Sequence, residues 1–172
     1  RPEAGKILFQ DLAKHRGHFT TGIFGTQYMM DLFPERVERN VIRDDYPGFG
    51  HMLANGATTL WETWKESDDV YSQNHPMFGS VEAWIVKHLL GIRVADDAVG
   101  ADKLIIAPCV TKEVKWAKGE YRTVKGVVGV SWETYGDRKR LSVNIPEGVT
   151  ARVRPQSNGE WQEVKSGRHT WR

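Results

Sequence analysis

Through its first half the chain places apolar residues three or four positions apart, and this spacing predicts amphipathic helices. Gly17 and Gly91 fit the C-terminal stops of the first and last helix, and Pro34 breaks the second. Trp84 falls on the apolar face of the last helix and is expected in the core. The pattern predicts five helices, at residues 4–15, 20–33, 37–42, about 58–64 and 76–90.

The pattern changes after Ile92, where short runs alternate between apolar and polar residues. Gly, Pro, Asn or Asp occupies most of the gaps, including the Lys118-Gly119 and Gly136-Asp137 pairs, so the runs predict an antiparallel β-sandwich. We therefore divide the chain into a helical part, residues 1–95, and a β-rich part, residues 96–172. The predicted strands lie at residues 104–108, 114–117, 121–124, 127–132, 141–145, 151–154 and 161–164.

Composition narrows the possible functions. The 172 residues are 40% hydrophobic and 27% charged, which is typical of a globular chain, and the net charge of +2 is too small to indicate nucleic-acid binding. No run of about 18 apolar residues exists, so no membrane span is predicted. We expect no metal or cofactor either, because no His, Cys or Asp cluster has ligand spacing and no glycine-rich phosphate loop follows a strand. The single cysteine, Cys109, excludes an internal disulfide and leaves the compartment open.

The chain has seven tryptophans, and two of them flank a carboxylate. Glu62 is the only acidic residue between Gly50 and Trp64, and Trp61 precedes it directly. Aromatic rings offer flat apolar faces to a sugar, while a carboxylate can transfer protons. With His75 at the start of the next predicted helix, this stretch is a candidate sugar-cleaving site.

Each of these residues also has a purely structural interpretation. Thr59 and Glu62 have the spacing of a capping box, which by itself favours a role at a helix start. Trp61 and Trp64, three residues apart, would share one helical face, where core packing is the usual role. His75 precedes a proline, which also suits a loop or cap position.

Four segments resemble the bacterial α-L-rhamnosidases, and they occur in that family's order. Gly56–Trp64 (GATTLWETW) is similar to the family's Gly-Ala-Thr-Thr-Ile-Trp-Glu-Arg-Trp segment, and Asn74–Val81 (NHPMFGSV) is similar to its Asn-His-Tyr-Ala-Phe-Gly-Ala-Val segment. His18–Gly25 resembles its His-x-x-Thr-Gly-Phe-Leu-Gly segment, and Trp116–Gly119 its Trp-Ala-Lys-Gly. Together these segments span most of the chain.

The resemblance implies the C-terminal helices of an (α/α)₆ toroid followed by an antiparallel β-sandwich, in an enzyme that releases terminal α-L-rhamnose with inversion. It implies that Glu62 is the general base and that His75 lines the rhamnose subsite. We assign Asn74, Trp61 and Trp64 to substrate binding as well. The family's general acid lies in an upstream segment that this chain lacks, so we expect the chain alone to be inactive.

Two alternatives stay open at this point. One is another (α/α)-barrel glycosidase with a different sugar specificity, and the other is a fragment that binds carbohydrate without catalysis. The expected partners are a rhamnose-containing glycoside or polysaccharide and the upstream part of the same polypeptide. The chain starts at Arg1 with no initiator methionine, which also predicts a C-terminal piece of a longer protein.

Overall fold

A computed structural model describes residues 2–65 and 72–172. The chain divides into two compact units, Arg1–Trp84 and Ile85–Arg172. The first unit consists of helices and turns, and strands dominate the second. The predicted order, helices and then a β-sandwich, is confirmed.

The first unit contains short helices joined by turns. Its 3₁₀ turns cover Pro34–Arg36 and Pro76–Gly79. Its α-helices are α1 (Pro2–Lys14), α2 (Gly25–Leu32), α3 (Val37–Ile42), α4 (Phe49–Ala54) and α5 (Ser80–Trp84).

Apolar and aromatic side chains from all five α-helices line the core of this unit. Leu12 from α1, Met30 from α2 and Val37 from α3 are almost fully buried, as is Trp84, whose indole N–H donates to the carbonyl of Pro34 at 2.9 Å. The stop predicted after α1 is confirmed. Gly17 has a φ of +85°, and its amide donates to the carbonyl of Leu12 at 2.6 Å.

Two helix predictions for this unit are wrong. The helix expected at about 58–64 is absent, since residues 57–65 form bends with no helical hydrogen bonding. The capping-box interpretation of Thr59 and Glu62 is therefore wrong too, because there is no helix start for them to cap. The threonines expected to cap the second helix precede it, and α2 begins only at Gly25. Thr21 instead accepts a hydrogen bond through its carbonyl from the buried hydroxyl of Thr26.

The second unit begins with a π-helical turn, Ile85–Leu89, and continues as two four-stranded sheets. One sheet has the order β1-β2-β6-β7 and the other the order β3-β4-β5-β8. The strands are β1 (Ile92–Val94), β2 (Lys103–Ile106), β3 (Trp116–Thr123), β4 (Gly126–Tyr135), β5 (Arg138–Ile145), β6 (Thr150–Val153), β7 (Gln162–Val164) and β8 (Gly167–Trp171).

The core of this unit consists of the inward residues of both sheets. In β5 and in the middle of β4 every second residue is buried, and the most buried include Val128, Leu141 and Val143. Trp132 is 2% exposed, and its indole N–H donates to the carbonyl of Leu89 at 2.7 Å. This bond ties the π-helical turn to the sheet core.

The structure corrects three details of the predicted sandwich. The Lys118-Gly119 pair is not a turn but lies within β3, where a Cβ on Gly119 would come within 2.5 Å of the side chain of Leu90. The strands β2 and β6 pair in parallel, so the sheets are not purely antiparallel. The pattern also missed β1 and β8. β1 already pairs with β2 at residues 92–94, just after Gly91, which adopts a φ of +74°.

Candidate functional site

Backbone hydrogen bonds bring the two segments of the candidate site together. The amide of His75 donates to the carbonyl of Leu60 at 2.7 Å, and the amide of Glu62 donates to the carbonyl of Ser72 at 2.8 Å. The hydroxyl of Thr59 adds a bond to the carbonyl of Gln73. Hydrogen bonds therefore pair residues 59–62 with residues 72–75. Residues 66–71, which connect the two segments, lie outside the described residues.

The carboxylate of Glu62 is held by this pairing. Its Oε2 accepts a hydrogen bond from the amide of Ser72 at 2.9 Å, so Ser72 bonds both the backbone and the side chain of Glu62. The same oxygen lies 3.9 Å from Nδ1 of His75, too far for a direct hydrogen bond. The side chains of Glu62 and His75 are 32% and 22% exposed, so both remain open to solvent on one side.

His75 adopts an extended backbone, with φ −123° and ψ 101°, as expected for a residue before proline. Its Nδ1 faces Glu62, whereas its Nε2 is buried with no hydrogen-bond partner among the described residues. Asn74 is exposed, and its amide donates to the hydroxyl of Ser72 at 3.1 Å. The structure therefore brings Glu62, His75 and Asn74 together.

The two tryptophans that flank Glu62 are buried. Trp61 is 4% exposed and Trp64 is 6% exposed. The Trp64 ring lies 4.2 Å from that of Phe78 and 5.1 Å from that of Phe49, measured between centroids. Its indole N–H donates to the carbonyl of Thr21 at 2.7 Å. Phe78 follows His75 by three residues, so this ring contact fixes the two site segments against each other.

Hydrogen bonds to Pro47 and Asp45 anchor the segment that starts at His18. This imidazole is 4% exposed, and its Nδ1 donates to the carbonyl of Pro47 at 2.7 Å, while its Nε2 lies 3.0 Å from Oδ2 of Asp45. Arg39 also donates to that oxygen, at 3.2 Å. Burial raises the pKa of Asp45, but the bonds from His18 and Arg39 outweigh it, so that pKa lies below its ordinary value.

Three of these contributors, Ser72, Asp45 and Arg39, were not recognised from the sequence. Ser72 acts through its backbone amide and carbonyl, which any residue except proline supplies, so its identity carries no information. Asp45 and Arg39 lie far from His18 along the chain, and neither lies in the four segments that resemble the family. The stretch Asp45-Tyr46-Pro47-Gly48 predicts a turn, and this pattern indicates nothing about a contact with His18.

The described residues also limit what this site can hold. Within residues 2–65 and 72–172, no three His, Cys, Asp or Glu side chains are grouped so as to bind a metal ion. Among the helices described, none combines the length and apolar character needed to cross a bilayer. What the site offers is a half-exposed carboxylate fixed by an amide, with an imidazole beside it, and this arrangement can accept a proton from a bound water.

Two family models match the chain. The bacterial α-L-rhamnosidase six-hairpin glycosidase domain matches residues 1–89, and the bacterial α-L-rhamnosidase C-terminal domain matches residues 91–169. These matches confirm the resemblance noted in the sequence.

The individual proteins that the chain resembles are also named α-L-rhamnosidases. The chain is 28% identical to an α-L-rhamnosidase of Alteromonas sp. strain LOR, over 82% of this chain and 16% of that protein. It is 26% identical to an α-L-rhamnosidase of Formosa agariphila, over 99% of this chain and 20% of that protein. The solved structure of an α-L-rhamnosidase from Dictyoglumus thermophilum superposes with a TM-score of 0.85 at 29% identity, covering 96% of this chain and 22% of that one. The chain thus spans about a fifth of the length of these relatives.

Proposed function

This chain belongs to the bacterial α-L-rhamnosidase family, and on that premise we propose that it is the C-terminal part of a glycoside hydrolase that releases terminal α-L-rhamnose. The helical part would complete the end of the catalytic barrel, and the β-sandwich would follow it. The relatives that the chain matches are named as α-L-rhamnosidases, which supports this substrate class. The rest of the same polypeptide would be its obligatory partner.

We propose Glu62 as the general base. The observation that carries this role is the clamp by Ser72, whose amide fixes Oε2 at 2.9 Å while the carboxylate stays 32% exposed. A base in an inverting glycosidase must hold a water against the sugar. Its carboxyl lies about 6.5–9.5 Å from a second carboxyl, which acts as the acid. That second carboxyl would come from the upstream part of the polypeptide.

The neighbouring residues are proposed to bind the sugar. His75 turns Nδ1 toward the space beside Glu62, so a sugar hydroxyl could bond this nitrogen, whereas the buried Nε2 is out of reach. Asn74 is exposed next to it. Trp61 and Trp64 are proposed to serve substrate binding indirectly, because their side chains are buried and would hold the Glu62 segment in position.

The test uses the full-length polypeptide and a panel of aryl glycosides. We expect the aryl α-L-rhamnoside to be hydrolysed fastest, and proton NMR of the fresh product to show β-L-rhamnose first, since inversion changes the anomeric configuration. Faster turnover of another sugar would replace the proposed substrate. Initial release of α-L-rhamnose would rule out Glu62 as the base of an inverting reaction.

A further inference from the structure

The outward face of the sheet β3-β4-β5-β8 bears a groove that the catalytic proposal does not use. Small residues form its floor, where Gly129, Ser131 and Ser142 lie side by side on β4 and β5. Larger side chains from β3 and β8 form its walls. The groove joins a depression of about 460 Å³ to one of about 240 Å³, and the two share Lys118 and Arg168. The larger depression alone is within the size range of ligand pockets.

One end of this groove is an exposed aromatic platform. Trp116 is 66% exposed, although it lies in a strand and pairs with Glu133 of β4. Exposed tryptophan is uncommon because water disfavours its large apolar ring. An indole face next to hydroxyl and charged groups suits a ligand with both apolar C–H faces and polar edges, which describes a sugar ring.

The charge on this face is unbalanced. The strand register points two acidic side chains outward, Glu120 and Glu133, and Glu133 already accepts a hydrogen bond from the hydroxyl of Tyr135. Five outward side chains on the same sheet are cationic: Lys118, Arg122, Arg138, Arg140 and Arg168. This face therefore has three more cationic than acidic side chains, whereas the net charge of the whole chain is only +2.

Two of these cations border the centre of the groove from opposite sides. The register aligns Lys118 with Ser131 and Ser142, and the next row places Arg168 opposite Asn144. Neither Lys118 nor Arg168 makes an ion pair with any described residue. Arg140 also lines the larger depression, while Glu133 lines the larger and Glu120 the smaller, so the groove holds three cations and two carboxylates. The remaining positive charge favours an anionic ligand, and the planar fork of arginine matches a carboxylate in two parallel bonds.

We propose that this groove is a binding site for a polysaccharide that contains uronic acid. Trp116 would stack on one sugar ring, and Lys118 and Arg168 would bind the carboxylate of another. The hydroxyls of Ser131 and Ser142 lie on the floor between them and would bond ring hydroxyls. The site lies within the second unit and does not depend on the assignment of Glu62, so it would serve to retain an acidic glycan independently of hydrolysis.

The test measures binding of the 172-residue chain to polygalacturonate by isothermal titration calorimetry at low ionic strength. Fully methyl-esterified polygalacturonate, which keeps the sugar rings and loses the charge, is the matched neutral probe. We expect binding to the acid form and at least tenfold weaker binding to the ester, because a charge-assisted bond is lost. No binding, or equal binding of the two polymers, would overturn the proposal.

Variants locate the site. Arg168→Gln and Lys118→Gln should each weaken polygalacturonate binding about tenfold or more, and Trp116→Ala by roughly three- to tenfold. Lys125→Gln removes the same charge from an exposed turn, and Glu62→Gln alters the proposed catalytic residue, so both should bind as the parent does. An equal loss in Lys125→Gln would show unspecific attraction between polyelectrolytes. A loss in Glu62→Gln would place the ligand elsewhere. Either result overturns the proposed groove.

A final comparison separates carboxylate from sulfate. Dextran sulfate and dextran form a second charged and neutral pair on an unrelated backbone. We expect dextran sulfate to bind more weakly than polygalacturonate and its binding to be insensitive to Trp116→Ala. Equal or tighter binding of dextran sulfate that Trp116→Ala weakens would replace uronic acid with a sulfated sugar and overturn the proposed ligand.

Discussion

Oε2 of Glu62 lies 3.9 Å from Nδ1 of His75, and backbone bonds rather than a bond between the two side chains hold them in place. The amide of Ser72 fixes the carboxylate, and the carbonyl of Leu60 fixes the backbone of His75. Either side chain can therefore be replaced while the other keeps its position. This separation makes the two proposed roles independently testable.

The first prediction concerns the base. In the full-length enzyme, Glu62→Gln should lower kcat by about 10²- to 10⁴-fold, the range for general acid–base catalysis, because an amide cannot accept the proton. The amide oxygen can still accept the bond from Ser72, so the fold should be retained. Glu82→Gln, an exposed change on α5, is the control and should leave kcat unchanged. Near-normal kcat in a folded Glu62→Gln enzyme would remove Glu62 from catalysis.

The second prediction concerns His75. His75→Ala should lower kcat/KM, and the ratio of the two values should correspond to a loss of roughly 1–3 kcal/mol of transition-state stabilisation, because a sugar hydroxyl loses its partner. The loss should be the same for aryl rhamnosides with good and with poor leaving groups, since the hydroxyl is remote from the departing oxygen. Rates across such a substrate series measure it. A loss confined to poor leaving groups would assign acid catalysis to His75 instead.

The third prediction separates a buried tryptophan from an exposed one. Trp64→Ala should destabilise the chain by about 3–5 kcal/mol, because it leaves a cavity beside Phe78 and removes the bond to Thr21. Trp116→Ala, the control in the second unit, should change the free energy of unfolding by about 0.5 kcal/mol or less. Urea denaturation monitored by circular dichroism measures both. Equal, small effects would contradict the packing seen around Trp64.

The fourth prediction concerns the chain on its own. We expect no measurable hydrolysis of an aryl rhamnoside by residues 1–172, because the proposed second carboxyl lies elsewhere in the polypeptide. Phe24, Tyr28 and Leu32 on and beside α2 are 72%, 68% and 59% exposed, which also favours self-association. Adding the separately expressed upstream part should restore some activity. Turnover by the chain alone, above that of its Glu62→Gln variant, would show that it holds a complete site.

The fifth prediction is a pH dependence of stability. Lys139 is 3% exposed, and burial, with the nearby Arg154 adding repulsion, lowers its pKa to about 8. Its Nζ donates to the carbonyl of Pro108 at 3.3 Å. In the unfolded chain the same group titrates near its ordinary value of about 10.4. Between these pKa values the unfolded state binds more protons, so the contribution of Lys139 to stability should rise with pH.

The variant Lys139→Met isolates this contribution. Below pH 8 the folded protein bears the full cost of a buried charge, and at higher pH that cost disappears. The stability of the parent relative to Lys139→Met should therefore increase from about pH 8 to about pH 10 by roughly 2–3 kcal/mol. Lys125→Met, at an exposed turn, should show no such trend. A constant difference across this range in chemical denaturation would contradict a lowered pKa.

Local patterns in the sequence determined much of this protein. The helical period predicted α1 and the stop at Gly17, and the alternation of residues predicted β4 and β5. In these two strands burial follows the alternation, because successive side chains point to opposite faces of the sheet. The four short segments also determined the family, and they marked Glu62 and His75 as candidates. None of this required knowledge of which distant residues meet.

Tertiary pairing decided the rest. Residues 59–62 carry a helical spacing and a capping-box pair, yet they bond to residues 72–75 and form no helix, because those backbone bonds and the packing of Trp64 on Phe78 outweigh a weak local preference. Gly119 looks like a turn residue but lies within β3 to make room for Leu90. The distance from Glu62 to His75 and the clamp by Ser72 depend on contacts between separate segments, and a one-dimensional period carries no information about them.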